Sequence, residues 1–136
     1  MGICLGMQLA FEHSSEQGGS EGLGILAGEV RPLQAGSLKL PHIGWNEVRF
    51  TNPGSRLLAG LPPRCAFYHV HSLAPVPAQT GDVLGIAQYG APFATAVERG
   101  SFYGVQFHPE KSSAAGLRLL VHFASICVEA AVPVAR

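Results

Sequence analysis

Charge is scarce in this chain. Charged residues make up 13% of its 136 positions, nine basic and nine acidic, and the formal net charge is zero. With no basic block, neither nucleic acid nor an anionic membrane surface is expected as its main partner. Cysteine is scarce too. Cys4, Cys65 and Cys127 form an odd, widely spaced set, a poor disulfide framework that points to a reducing compartment and hence to the cytoplasm. None belongs to a CxxC pair, which argues against a structural zinc site. No apolar stretch reaches the roughly 18 residues expected of a membrane helix. No basic segment followed by an apolar one opens the chain, so no signal peptide is read there. No internal repeat is present.

What the chain has is apolar residues, 47% of the total, enough for one core and against disorder. Low net charge leaves little protection against self-association. Leu5 to about Ser14 reads as a helix, and the glycine- and serine-rich stretch 14–24 reads as a loop. "ILAGEVRPL" and "IGWNEVRF" have the composition of strands. "SRLLAGLPP" suggests a short helical turn stopped by Gly60 and two prolines. "CAFYHVHSL", "DVLGIAQYG" and "PFATAVE" continue the strand pattern, and "VERGSFYGVQF" reads as a hairpin closing at Arg99-Gly100. The stretch from Ser112 turns helical, with Ser112 or Ser113 as N-cap and Leu117, Leu120, Val121, Ala124 and Val128 on the expected buried face. The last five residues, "VPVAR", are expected to fray. Such a mixture suits an α/β layered protein. Yet a parallel sheet needs more βα units than these elements supply.

"GICLG" at residues 2–6 has the form of a nucleophile elbow: strand, sharp turn, helix, with Cys4 at a strained apex. Gly2 and Gly6 fit if neighbouring backbone leaves no room for a Cβ. A helix N-terminus behind Cys4 favours negative charge and is expected to lower the thiol pKa, and the Leu5 N–H is a candidate oxyanion donor. By itself the pattern fits a small buried cysteine better than a nucleophile. "FHPE" at 107–110 supplies the second piece. A nucleophilic cysteine needs a base, and the base an orienting group. Pro109 disfavours helix at His108 and sets a turn, and Glu110 lies two residues on, in reach of one imidazole nitrogen. His69 and His71 share a strand face, but no third ligand stands at a convincing spacing, so no metal is expected there.

"GICLGMQ" together with "GVQFHPEKS" resembles the class I glutamine amidotransferases, which release ammonia from glutamine. "FEHSSEQGGSEGLGIL", "PHIGWNEV", "FYHVHSL" and "GLRLLVHF" are similar to glutaminase subunits of imidazole glycerol phosphate synthases, enzymes of histidine biosynthesis. The likeness runs from Gly2 to about Phe123, so residues 1–136 are read as one partial amidotransferase domain. The resemblance implies a three-layer, flavodoxin-like α/β fold and a glutaminase that needs no cofactor. It implies Cys4 as nucleophile, His108 as general base and acid, and Glu110 as orienting carboxylate, with sulfur, imidazole and carboxylate meeting within hydrogen-bonding reach. Gln8 and Glu16 match positions at or beside the ends of the substrate, and Ser72 and Leu73 match the strand end lining the glutamine pocket. Leu73 stands where an aromatic residue is common, a departure at that contact. Trp45, Asn46, Tyr68 and Lys111 match positions used against the partner, a barrel-shaped cyclase that receives the ammonia in a heterodimer. For Trp45 and Tyr68, core packing is the equal alternative.

In that family a further segment with a second oxyanion donor precedes the elbow. The expectation is therefore a C-terminal part of a glutaminase, weakly active or inactive alone. Two rivals stand beside it: the glutaminase domain of another class I amidotransferase, and a non-catalytic partner-binding fragment. A thiol hydrolase acting on γ-glutamyl amides is a third, weaker option.

Overall fold

The structure, a computed structural model, describes residues 1–131; the expected fraying at 132–136 lies outside the described residues. Ten strands and two helices follow in order: β1 (Gly2–Ile3), α1 (Leu5–Gln8), β2 (Phe11–Ser14), β3 (Ser20–Glu21), β4 (Leu26–Pro32), β5 (His42–Phe50), β6 (Arg64–His71), β7 (Leu73–Pro77), β8 (Val83–Tyr89), β9 (Ala91–Arg99), β10 (Phe102–Val105) and α2 (Ser113–Ala131). A six-stranded sheet runs β1-β10-β9-β8-β5-β6, and a four-stranded sheet runs β3-β2-β4-β7. The first is antiparallel except for β1 beside β10. It curls until its ends meet, since Tyr68 on β6 accepts a hydrogen bond from His108 just past β10.

The expected helix from Leu5 to Ser14 stops at Gln8, and Phe11–Ser14 is a strand instead. The reason is tertiary. Phe11 pairs with Leu26, and His13 and Ser14 pair with Glu29 and Val30 on β4. Phe11 is thereby fully buried beside Met7, Leu26 and Val30. The hairpin loop is Gly100-Ser101, one residue later than read, because Arg99 pairs with Phe102. β4, β5, β6, β8 and β9 and the turn at Arg56–Leu58 lie where the composition placed them, whereas β7, with two prolines, was not expected, and β3 forms inside the stretch read as a loop because Ser20 and Glu21 pair with Ser14 and His13.

On α2 the expected buried face is the wrong one. Leu117, Val121 and Val128 are each about three-fifths exposed, whereas Gly116 and Leu119 are buried and Ala115, Phe123 and Ile126 pack on the core. Both stripes are apolar, so periodicity alone could not choose between them. Gly116 decides it: the Pro109 carbonyl lies so close that a Cβ there has no room. The polar ties agree, with His122 Nδ1 bonding the Leu57 carbonyl and Arg118 donating to the Gly60 carbonyl. The expectation that no stretch is long and apolar enough to cross a membrane also fails. By length and composition α2 is such a helix, with mean hydropathy 1.5. Here one of its faces lies on the sheet.

The main core fills the space between the curled sheet and α2, with Val48, Leu57, Phe67, Val105, Phe107 and Leu119 fully buried. Phe67 and Phe107 stack with ring centroids 4.0 Å apart, which locks β6 against the segment that carries His108.

Candidate active site

Cys4 sits between β1 and α1 with φ 51°, ψ −108°, a conformation that an L-residue adopts only under constraint. The constraint is visible. Its N–H donates to the Val105 carbonyl at 2.8 Å, and its own carbonyl accepts from Met7 and Gln8, which starts α1. Gly2 is needed, since a Cβ there would lie 2.5 Å from the Gly6 backbone. Gly6 is not needed for the same reason: a Cβ there meets nothing within 4 Å, because what is crowded is its backbone.

His108 reaches the same corner because β1 and β10 are parallel neighbours and end together, with Ile3 opposite Val105. Its backbone is clamped. The N–H donates to the Tyr68 carbonyl at 2.9 Å, and its carbonyl accepts the Ser112 hydroxyl at 2.6 Å. Ser112 Oγ also accepts the Tyr68 N–H at 2.9 Å and is fully buried. Glu110, exposed, holds His108 Nδ1 at 2.7 Å. The carboxylate is an acceptor, so Nδ1 carries the hydrogen and Nε2 the lone pair.

The thiol faces the Val70 carbonyl at 3.9 Å and the Gln106 side-chain nitrogen at 3.6 Å. Among the described residues no hydrogen bond joins Cys4 to His108, so the expected reach between sulfur and imidazole is not met here. The expected lowering of the thiol pKa is overturned as well. Burial pushes the thiol up, the Leu5 N–H and the Gln106 amide pull it down, and the Glu110 charge pushes up again, with a net rise. A four-residue helix has too weak a dipole to outweigh the lost hydration.

Gln8 is half-buried, and its amide donates to Gln106 Oε1 at 3.0 Å and to the Leu73 carbonyl at 3.4 Å. Leu73 is thus joined to the surroundings of Cys4 through its backbone. Ser72 is half-buried, and its carbonyl is taken by the Leu33 N–H at 2.9 Å. Glu16 is exposed on the turn Glu16–Gly18 and lines a shallow cleft with Leu5, Gln8 and His13.

Trp45 is 55% exposed and meets Tyr68 edge to face, its register partner across β5 and β6. With exposed Ile43 and Lys111 they lie on the outer surface. Asn46 points the other way, as alternation along a strand requires. Its amide donates to the Gln88 carbonyl at 2.8 Å and to His42 Nε2 at 3.3 Å, and it lies half-exposed on the face opposite Trp45.

His69 and His71 have both ring nitrogens engaged. His69 bonds the Phe67 carbonyl and the Thr95 hydroxyl, and His71 bonds the Leu73 carbonyl and His42. Burial pushes them down to about 3 and about 4, so both rings are neutral near pH 7.

Comparison with known proteins settles the family. The profile of the family described as glutamine amidotransferase class-I matches residues 1–125. The chain belongs to that family.

Relatives of this amidotransferase include the imidazole glycerol phosphate synthase subunit HisH of Methylococcus capsulatus, 49% identical over 130 residues, covering 90% of this chain and 60% of that protein. The HisH subunit of Moorella thermoacetica is 50% identical over 126 residues, covering 93% and 59%. The amidotransferase chain therefore spans about three-fifths of the length of these curated relatives. Among solved structures, a glutamine amidotransferase of Thermotoga maritima superimposes with TM-score 0.56 at 17% identity, covering 96% of this chain and 49% of that one. The glutaminase domain of a Trypanosoma brucei CTPS, with bound acivicin, does so with TM-score 0.58 at 19% identity, covering 91% and 59%. The fold is thus the α/β fold of class I glutamine amidotransferases.

Two features of this amidotransferase site escaped the sequence reading: Gln106 and the Ser112 clamp. Gln106 had a signal. It is a polar residue at the end of an apolar strand, two positions before His108.

Proposed function

We propose that this chain carries the glutaminase centre of an imidazole glycerol phosphate synthase subunit. The carrying observation is the strained Cys4 at the start of α1, in one corner with the bonded His108–Glu110 pair. In this reading His108 Nε2 takes the Cys4 thiol proton, the thiolate attacks the carboxamide carbon of glutamine, and the carbonyl π pair moves to oxygen. The Leu5 N–H donates to that oxyanion. His108 protonates the departing nitrogen, the C–N bond breaks, and ammonia leaves a glutamyl thioester. Water then gives a proton to His108 and attacks the thioester. The C–S bond breaks, and glutamate departs. Gln8, Glu16, Ser72 and Leu73 are assigned to the substrate side.

The HisH relatives are named as subunits of an imidazole glycerol phosphate synthase, which supports assembly with a further subunit; this reading makes that partner the cyclase that receives the ammonia, in the cytoplasm. Trp45, Tyr68 and Lys111 are the docking face, and residues 1–136 are part of one amidotransferase domain. Two observations favour a second reading, a partner-binding fragment with little turnover: the thiol has no hydrogen bond to the imidazole, and burial raises its pKa.

The test is treatment of the purified chain with a diazo-ketone analogue of glutamine, followed by peptide mass spectrometry, alongside glutamate release with and without a cyclase. Cys4 is expected to be the labelled residue. An unlabelled Cys4, or turnover surviving Cys4→Ala, refutes the glutaminase reading.

A further inference from the structure

We propose that Gln106 is a further catalytic residue, whose side-chain N–H donates to the Cys4 sulfur and stabilises its thiolate. The inference rests on Cys4 being the nucleophile and adds a contact to that site.

The orientation of the Gln106 amide follows from a chain of forced choices. The Leu73 carbonyl can only accept. It takes His71 Nδ1–H at 2.7 Å and one hydrogen of the Gln8 amide at 3.4 Å. Gln8 therefore turns its nitrogen inward and also donates to the Gln106 side-chain oxygen at 3.0 Å. With that oxygen engaged, the Gln106 nitrogen is the atom left facing Sγ, at 3.6 Å. Reversing the Gln106 amide would set two NH2 groups against each other and an oxygen against the sulfur. Gln106 is fully buried, and its backbone N–H is held by the Thr95 carbonyl at 2.7 Å, so the side chain starts from a fixed point. A buried amide kept beside a thiol at this cost in desolvation is explained by the charge it meets there.

The chemistry fits both halves of the reaction. Before attack, the amide supplies a donor to a sulfur that burial would otherwise keep protonated. When water expels the sulfur from the thioester, the C–S electron pair returns to sulfur, and the Gln106 amide is the donor that meets it while the Leu5 N–H stays on the oxyanion. The titratable groups that face this corner are His108 and Glu110 from the turn after β10, and His69 and His71 from β6. α1 contributes none.

The test uses the full chain and reads the thiol itself. Iodoacetamide alkylation of Cys4 is followed against pH, with the Cys4 peptide separated from those of Cys65 and Cys127 by mass spectrometry. Gln106→Met, close in shape and without a donor, is expected to raise the midpoint by about one pH unit and to slow alkylation below it about tenfold. Gln106→Glu, isosteric and anionic, is expected to raise it further. An unchanged midpoint in Gln106→Met overturns the proposal. If that variant does not fold, Gln106→Glu decides by the same criterion. In the unsubstituted chain, the Gln106 side-chain amide resonance is expected to shift at the Cys4 midpoint, and a signal that does not move there also overturns it. None of these measurements needs glutamine turnover. Failure of the glutaminase reading, seen as turnover surviving Cys4→Ala, is a separate outcome.

Discussion

Acid is expected to unfold this protein through two histidines, and the size of the effect follows from their surroundings. His69 and His71 are buried with relative exposures of 0% and 6%, and burial pushes their pKa values down to about 3 and about 4. In the unfolded chain both titrate near 6.5. Below that pH the unfolded state takes up protons that the folded state refuses, so stability is full above about pH 7 and falls as pH drops toward 4. Integrated from pH 7 to pH 5, each ring loses about 2 kcal/mol, and the pair about 4 kcal/mol. That is a large share of the 5–15 kcal/mol typical of a folded domain. Carboxylates add little in this window, because they titrate near 4 when unfolded. Glu29, held below the usual carboxylate range by Arg31, loses its contribution only in stronger acid. The assay is urea unfolding followed by circular dichroism at pH 7, 6 and 5. His71→Gln, which cannot titrate, is expected to remove about half of the slope. A free energy at pH 5 within about 1 kcal/mol of that at pH 7 refutes the reasoning, and so does a slope that His71→Gln leaves unchanged.

Three other perturbations test the site. Ser112→Ala leaves the Tyr68 N–H and the His108 carbonyl without their partner and is expected to cost about 2 kcal/mol, read as a drop of several degrees in melting temperature. Cys4→Gly relieves the positive φ and is expected to raise stability by about 1 kcal/mol while abolishing diazo-ketone labelling; a lower melting temperature contradicts the strain argument. Trp45→Ala, at a half-exposed position, is expected to change stability by less than about 0.5 kcal/mol yet weaken binding of a cyclase partner at least about tenfold, measured by calorimetry.

Much of the site was legible in the residues. The elbow, the His-Pro-Glu turn and the strands from β4 to β9 other than β7 each carry a local signal: small residues at a turn, proline after histidine, alternating β-branched and aromatic positions. The failures share one cause. Phe11–Ser14 has helical company in sequence, but β4 offers it a partner, and tertiary pairing outweighs local propensity. On α2 two apolar stripes compete, and only the close approach of Pro109 to Gly116 selects between them. Asn46 stands beside Trp45 in sequence, yet neighbours on a strand face opposite ways, and its amide is spent on Gln88 and His42.

The order of residues alone thus determined the family and most strand positions, and it singled out Cys4, His108 and Glu110 as candidates for nucleophile, base and orienting carboxylate, because those depend on short-range spacing and turn chemistry. The packed chain alone decided which side of α2 meets the sheet, that the thiol is held up by burial rather than drawn down by α1, and that Gln8, Gln106 and the Leu73 carbonyl form one hydrogen-bonded line to the sulfur. These depend on desolvation and on contacts between residues up to about a hundred positions apart, which no local pattern encodes.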